Sequence, residues 1–345
     1  MQIDLQHVEY CYQKGSPFEH MALQDINLRI RSGEMIAMIG HGGSGKSTLS
    51  LLLSGLYKPT GGRIDTYDVK TGRQESVRNI GLVFQYPEQQ LFAETVYEEV
   101  AFGARNFGVP QDYLPIRVRK ALELVGLEPD SFWNRSPFSL SGGQKRRVCI
   151  AGVLAVEPKM IILDEPTAGL DEGGRRWLLE LVRQLNREGR SILWITHNMR
   201  EAAELAQRII VLNRGRILLD GSPDQVFAEE ELLREAGLEI PMAAAVVREL
   251  KRRGIPLAGT AISVEEAAAE IGDYLARRDA PEPVEAEPED VLQAKAAEED
   301  GEPVISLESV LAAAGQTIPQ PKEDAPPPPK EEPRFTPWQG GKTDV

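Results

Sequence analysis

The sequence predicts an α/β fold built on a parallel sheet, and three observations carry that prediction. Strand-like apolar runs alternate with helical stretches through the first two-thirds of the chain, the pattern of parallel strands joined by helices. One such strand and helix enclose the glycine-rich run Gly40-His41-Gly42-Gly43-Ser44-Gly45-Lys46-Ser47-Thr48. A second run, Met160-Ile161-Ile162-Leu163, places four apolar residues in a row before Asp164-Glu165. Unbroken apolarity of this kind marks a strand covered on both faces.

Taken in order, residues 1–30 read as strands of a smaller antiparallel sheet; Asn27-Leu28-Arg29-Ile30 ends one and Ser32-Gly33 turns it. Met35-Ile36-Ala37-Met38-Ile39 reads as a buried strand, and residues 47–53 as the helix beyond the glycine-rich run. Residues 80–84 form the next strand, and residues of about 95–155 are helix-rich. There Thr95 caps a helix starting at Val96, with Glu98 three residues on. Residues 113–125 show helical apolar spacing, stopped by Gly126, and residues 145–155 have helix character. Residues 192–196 form another strand. A hairpin then joins residues 209–212 and 216–219 through Asn213-Arg214-Gly215. Helices such as 242–252 and 264–277 fill the stretch 222–280, and no internal repeat is evident.

Composition bounds the function. A chain of 345 residues can bury a sizeable core and still carry an appendage. It has no run of eighteen apolar residues, so no membrane-spanning helix is expected, and Met1-Gln2-Ile3-Asp4-Leu5 reads as a strand start, not a signal peptide. Two cysteines, Cys11 and Cys149, fit a reducing compartment. The net charge of −14 is uneven: residues 281–345 hold fifteen acidic against five basic side chains and twelve of the 24 prolines. That segment is expected to be a disordered acidic, Pro-rich tail, because it cannot bury enough apolar surface to offset its ordering entropy. No basic stripe interleaved with aromatics occurs, which argues against a nucleic-acid partner. The expected domains are residues 1–228, a helical C-terminal region over 229–280, and the tail over 281–345.

The chemistry is phosphate chemistry. Residues 40–47 satisfy G-x-x-x-x-G-K-[ST] at each fixed position. The glycines let successive N–H groups turn inward as an anion nest at a helix N-terminus. Lys46 is expected to reach the β- and γ-phosphates and Ser47 to ligate magnesium. Asp164 is expected to hold the same magnesium through water, and Glu165 to polarise the attacking water as general base. His7, His20 and His41 show no metal-ligand spacing; His41 lies in the loop at a variable position.

Leu140-Ser141-Gly142-Gly143-Gln144 narrows this further, because it resembles the signature of the ABC ATPases. The resemblance implies an ABC-type phosphate-loop ATPase core with an antiparallel β subdomain, a helical signature subdomain and a small helical C-terminal region. It implies that Ser141, Gly143 and Gln144 serve the nucleotide of an opposite subunit. Gln85, after its strand, resembles the glutamine that senses magnesium and water; Ala168-Gly169-Leu170-Asp171 resembles the loop that crosses the dimer interface. His197 resembles the histidine that touches the γ-phosphate. Tyr12 resembles the aromatic that stacks on adenine, with Tyr10 as the competing choice. Gly42 stands where the family more often has Thr or Asn. Every catalytic position is filled.

A narrower resemblance rests on Pro17-Phe18-Glu19-His20, on Gln85-Tyr86-Pro87-Glu88-Gln89-Gln90-Leu91-Phe92 and on Pro137-Phe138-Ser139 before the signature. These are similar to the second ATPase type of energy-coupling factor transporters, over about residues 1–280. That implies ATP and Mg2+ as cofactors and a second ABC ATPase, the same chain or another, as partner. It also implies a transmembrane scaffold, small substrate-binding membrane proteins, and a peripheral place on the cytoplasmic face of the cell membrane. The imported cargo would be vitamins or transition-metal ions. The C-terminal helical region would join the two ATPases, and Glu88 with Gln90 would meet basic residues of a scaffold helix. The alternatives are the ATPase of another ABC transporter and a soluble ABC ATPase without a transport role.

Overall fold

The computed structural model describes residues 1–75, 79–259 and 261–278. The chain opens with two long strands, β1 (Gln2–Tyr12) and β2 (His20–Ile30). They pair antiparallel, with Ile3 opposite Ile30 and Leu5 opposite Leu28. A bulge bends the pair where His7 and Asp25 both adopt positive φ, and Asn27 Oδ1 accepts from the His7 N–H. Then come β3 (Met35–Ile39), α1 (Lys46–Leu53) and β4 (Gly61–Tyr67). The last of these returns to pair with β1, so the small sheet runs β2-β1-β4.

After β5 (Ile80–Val83) the chain leaves the sheet for the helical region. This contains α2 (Val96–Asn106), α3 (Leu114–Leu124), the single turn α4 (Pro129–Phe132) and α5 (Gly142–Leu154). Thr95 Oγ1 accepts from the Glu98 N–H and so caps α2, as its sequence predicts. The helices meet through Val100, Val118, Leu122 and Val148, all fully buried. The chain then re-enters the sheet as β6 (Met160–Asp164), followed by α6 (Glu172–Arg187), β7 (Ser191–Ile195), α7 (Met199–Leu205), β8 (Arg208–Asn213) and β9 (Arg216–Gly221). Four more helices follow: α8 (Pro223–Ala228), α9 (Glu230–Glu235), α10 (Met242–Arg252) and α11 (Val264–Arg278).

Among the described residues the large sheet has the order β5-β6-β7-β3-β8-β9. It is parallel from β5 to β8, with β9 antiparallel at the edge. Every residue of β3, β6 and β7 is buried, which explains the apolar runs 35–39, 160–163 and 192–195 within them. In a parallel sheet the carboxyl ends of the strands share one edge, and loops there form the binding crevice. Because β6, β7 and β3 are neighbours, the residues following each of them come together.

The expected strand, helix and hairpin elements are present. The strand β4 is not readable in the sequence, since Gly61-Gly62-Arg63-Ile64-Asp65-Thr66-Tyr67 lacks a buried run and belongs to the half-exposed edge of the small sheet. The expected acidic, Pro-rich tail lies outside the described residues.

Candidate nucleotide site

The loop between β3 and α1 is held by close backbone approach. A side chain at Gly40 would overlap the Leu212 carbonyl oxygen, so the loop lies directly on β8. Gly45, the N-cap of α1, has φ 107°, a conformation that residues with a Cβ rarely adopt. A Cβ there would also stand 2.7 Å from Leu23 Cδ2 and 2.9 Å from the Ala22 carbonyl oxygen. The Gly215 N–H donates to the Ser44 carbonyl at 3.0 Å, and His41 Nε2 lies 3.2 Å from Asn213 Oδ1, so the β8–β9 turn braces the loop. No side chain caps α1, which leaves the first N–H groups of that helix for an anion. Ser44 is fully buried and its hydroxyl has no partner among the described residues. Gly45→Ala is expected to lower stability by roughly 1–3 kcal/mol and to abolish nucleotide binding. Thermal melts with and without ATP check this.

Lys46 Nζ donates to the carbonyl oxygens of Gly40 and His41, at 2.6 and 3.0 Å. Burial pushes its pKa down, while the Glu165 and Asp164 carboxylates pull it back up. It is therefore a cation held close to the loop, positioned for a phosphate. Asp164, at the end of β6, is buried; burial pushes its carboxyl pKa up, opposed by a hydrogen bond from Ser47 and by the charge of Lys46. Ser47 and Asp164 thus bring one hydroxyl and one carboxylate together. That hard-oxygen set suits magnesium shared with phosphates. It does not suit a transition metal, and among the described residues no group of three His, Cys, Asp or Glu side chains is arranged to hold a metal ion.

Glu165 has φ 47°, a strained backbone for a residue with a side chain. Its N–H donates to the Ile195 carbonyl at 2.9 Å, which turns the residue across the end of β7. There Glu165 Oε2 meets His197 Nδ1 at 2.8 Å. Tyr12 lies at the end of β1, and its hydroxyl is 3.1 Å from Thr48 Oγ1, so its ring flanks the start of α1. Tyr10 is instead stacked on Tyr57, with centroids 5.2 Å apart. Of the two tyrosines, Tyr12 is the one joined to the loop. Gln85 is exposed two residues beyond the carboxyl end of β5, and its side chain has no hydrogen-bond partner among the described residues. Gly42 and Gly43 face open space.

Ser141, Gly143 and Gln144 make no hydrogen bond to the 40–48 loop. They form the N-terminus of α5, where Ser141 Oγ accepts from the Gln144 N–H and Gln144 Oε1 accepts from the Ser141 N–H. This reciprocal cap is the S-x-x-Q pattern. It occupies the Gln144 side chain, which the family resemblance assigns to a nucleotide. Added Cβ atoms on Gly142 and Gly143 would meet nothing within 4 Å, so this helix end is open.

Glu88 departs from its expectation as a scaffold contact. Both its oxygens are engaged by Arg146 of α5, at 2.9 and 3.0 Å. Arg146 is buried and also donates to the carbonyls of Ala168 and Pro166 at 2.9 and 3.3 Å. A buried guanidinium needs a carboxylate partner, so Glu88 ties the turn after Gln85 to α5 and to the 166–168 segment. Gln90 does line the neighbouring groove, an apolar cavity of about 300 Å³ between β5, α2 and α5, with Phe92, Phe102, Cys149 and Val153. Glu99 is likewise taken up internally, by the N–H groups of Phe92 and Ala93. Local sequence gives no sign of Arg146, because its partners are distant in the chain.

A phosphate-binding loop, an Asp-Glu strand end facing a histidine, and a capped Ser-Gly-Gly-Gln helix together define the nucleotide-binding cassette of ABC transporters. The ABC transporter family matches residues 23–168. The chain is 44% identical over 281 residues to the energy-coupling factor transporter ATP-binding protein EcfA2 of Caldanaerobacter subterraneus, covering 80% of this chain and 98% of that protein. It is 46% identical over 283 residues to EcfA2 of Symbiobacterium thermophilum, covering 81% and 98%. Among solved structures it is similar to cbiO1 from Clostridium perfringens, part of the ABC transporter complex cbiONQ (37% identity, 73% and 94% coverage, TM-score 0.56). It is also similar to a dimeric ATP-binding cassette bound to ADP and Pi after hydrolysis (30% identity, 64% and 98% coverage, TM-score 0.55). The chain belongs to the EcfA2 family of energy-coupling factor transporter ATP-binding proteins, and it is an ABC-type ATPase.

Proposed function

We propose that this chain binds ATP with Mg2+ and hydrolyses it to power an energy-coupling factor transporter that imports vitamins or transition-metal ions. The observation that carries the reading is the 2.8 Å contact between Glu165 and His197 at the strand ends beside Lys46, Ser47 and Asp164. Lys46 and the N–H groups of the 40–48 loop bind the phosphates, and Tyr12 stacks on the base. Ser47 and Asp164, with Gln85, hold the magnesium, which when bound neutralises phosphate charge. Glu165 takes a proton from the attacking water, and His197 orients Glu165 and the γ-phosphate. Ser141 and Gly143 complete the site of a second ABC ATPase, either another copy or a sister chain.

No helix among the described residues is long and apolar enough to cross a membrane. The chain sits peripherally on the cytoplasmic face, held by a transmembrane scaffold that works with small substrate-binding membrane proteins. The domain reading places the ATPase over residues 1–228 and a joining region for the two ATPases over 229–280. In the latter, α10 and α11 share a small core of Val247, Leu257 and Ala267 and leave Met242 exposed. The apolar groove by Phe92 and Phe102 receives a scaffold helix. Those rings lie edge to face at 4.7 Å and are both about half exposed, an apolar surface of the kind that marks an interface. Phe102→Asp is expected to remove membrane proteins from material purified through this chain while leaving ATP affinity unchanged. Undiminished co-purification would refute the groove assignment.

A further inference from the structure

The groups that touch nucleotide do not explain how two separate loops hold Glu165 and His197 in register. The structure assigns that task to Glu201 of α7, a positioning residue whose one buried carboxylate gathers both loops. This inference rests on the reading of Glu165 and His197 as the hydrolytic pair.

Glu201 is 1% exposed and, among the described residues, makes no hydrogen bond to the Glu165 or His197 side chain. Its Oε2 accepts from three donors: Thr167 Oγ1 at 3.1 Å, Trp194 Nε1 at 3.2 Å and Thr196 Oγ1 at 3.2 Å. Its Oε1 accepts from Asn198 Nδ2 at 3.3 Å and faces Arg175 Nε of α6 at 3.5 Å. Thr167 lies two residues beyond Glu165, and Thr196 and Asn198 flank His197 on either side. The Asn198 N–H also donates to Thr196 Oγ1, closing the turn that carries His197. His197 itself is largely exposed, so little else packs around it. Its placement comes from its two neighbours, and both are bonded to the same carboxylate that fixes the Glu165 segment. Networks of this kind orient the groups that do chemistry.

Glutamine cannot replace this carboxylate. One end of Glu201 meets three donors, and the other meets an amide N–H and a guanidinium. An amide group has a single acceptor oxygen, so its own N–H₂ must oppose a donor in either orientation.

Glu201→Gln in the full chain provides the test. The chain has four histidines, so ring signals can be resolved by NMR. The substitution should move the His197 signals and leave those of His7 and His20 in place. ATP affinity should stay within about threefold, while turnover falls about ten- to a hundred-fold, the usual consequence of misplaced catalytic groups. In a His197→Ala background the same substitution should lower turnover less, because one of the two groups it positions is already absent. Unmoved His197 signals would overturn the proposal, as would an equal loss in the His197→Ala background, which is what general destabilisation would produce. Full turnover by His197→Ala alone would instead refute the underlying catalytic reading.

Discussion

Glu165→Gln is expected to bind ATP as tightly as the parent chain and to lose about a hundred- to ten-thousand-fold in turnover. The side chain keeps its volume and its contact to His197, 2.8 Å away, so the phosphate loop is untouched. Only the ability to accept a proton from water is removed. The strained backbone at Glu165 points the same way: φ 47° is maintained by the N–H bond to Ile195, and such strain is characteristic of functional positions. Steady-state hydrolysis and equilibrium nucleotide binding, measured on the same preparation, separate the two effects. Substantial remaining hydrolysis would remove Glu165 as the base.

Lys46→Ala is expected to fail at the earlier step. Lys46 is the half-buried cation of the loop, and the Glu165 and Asp164 carboxylates act on its charge. Its loss leaves phosphate charge facing two carboxylates without compensation. The expected cost is about 2–3 kcal/mol of ATP binding, or roughly thirty- to 150-fold in affinity. ATP should raise the melting temperature of Glu165→Gln and leave that of Lys46→Ala almost unchanged. Equal thermal shifts in the two variants would contradict the roles given to these residues.

Much of this was legible in the sequence, for identifiable reasons. The strands β3, β6 and β7 are covered on both faces and therefore read as apolar runs, and the sites lie where those runs end. Residues 40–48 and 140–144 carry their chemistry in backbone geometry and helix ends, which are local and leave a local pattern. Thr95, capping α2, was readable for the same reason. What was not legible depends on contacts between distant residues. Arg146 meets Glu88 and the 166–168 carbonyls, and Glu201 meets Thr167, Trp194 and Thr196. Each is a polar residue within a helix, with no spacing to distinguish it from a solvated face. Glu88 reads as a contact for a docking helix for that reason, while the fold pairs it internally with Arg146. Gln144 shows a subtler case. Its spacing from Ser141 signals a helix cap, and the signature pattern drew attention to nucleotide instead.

The central claim is that this ATPase drives a membrane transporter in the company of a second ATPase. The most direct test is to purify the tagged full chain from membranes at native expression in mild detergent and identify every companion. The account predicts an ABC ATPase partner, a small hydrophobic scaffold and one or more small membrane proteins whose ligands name the cargo. Recovery as a self-paired ATPase without membrane proteins, or with a dedicated pair of large permeases, would contradict it.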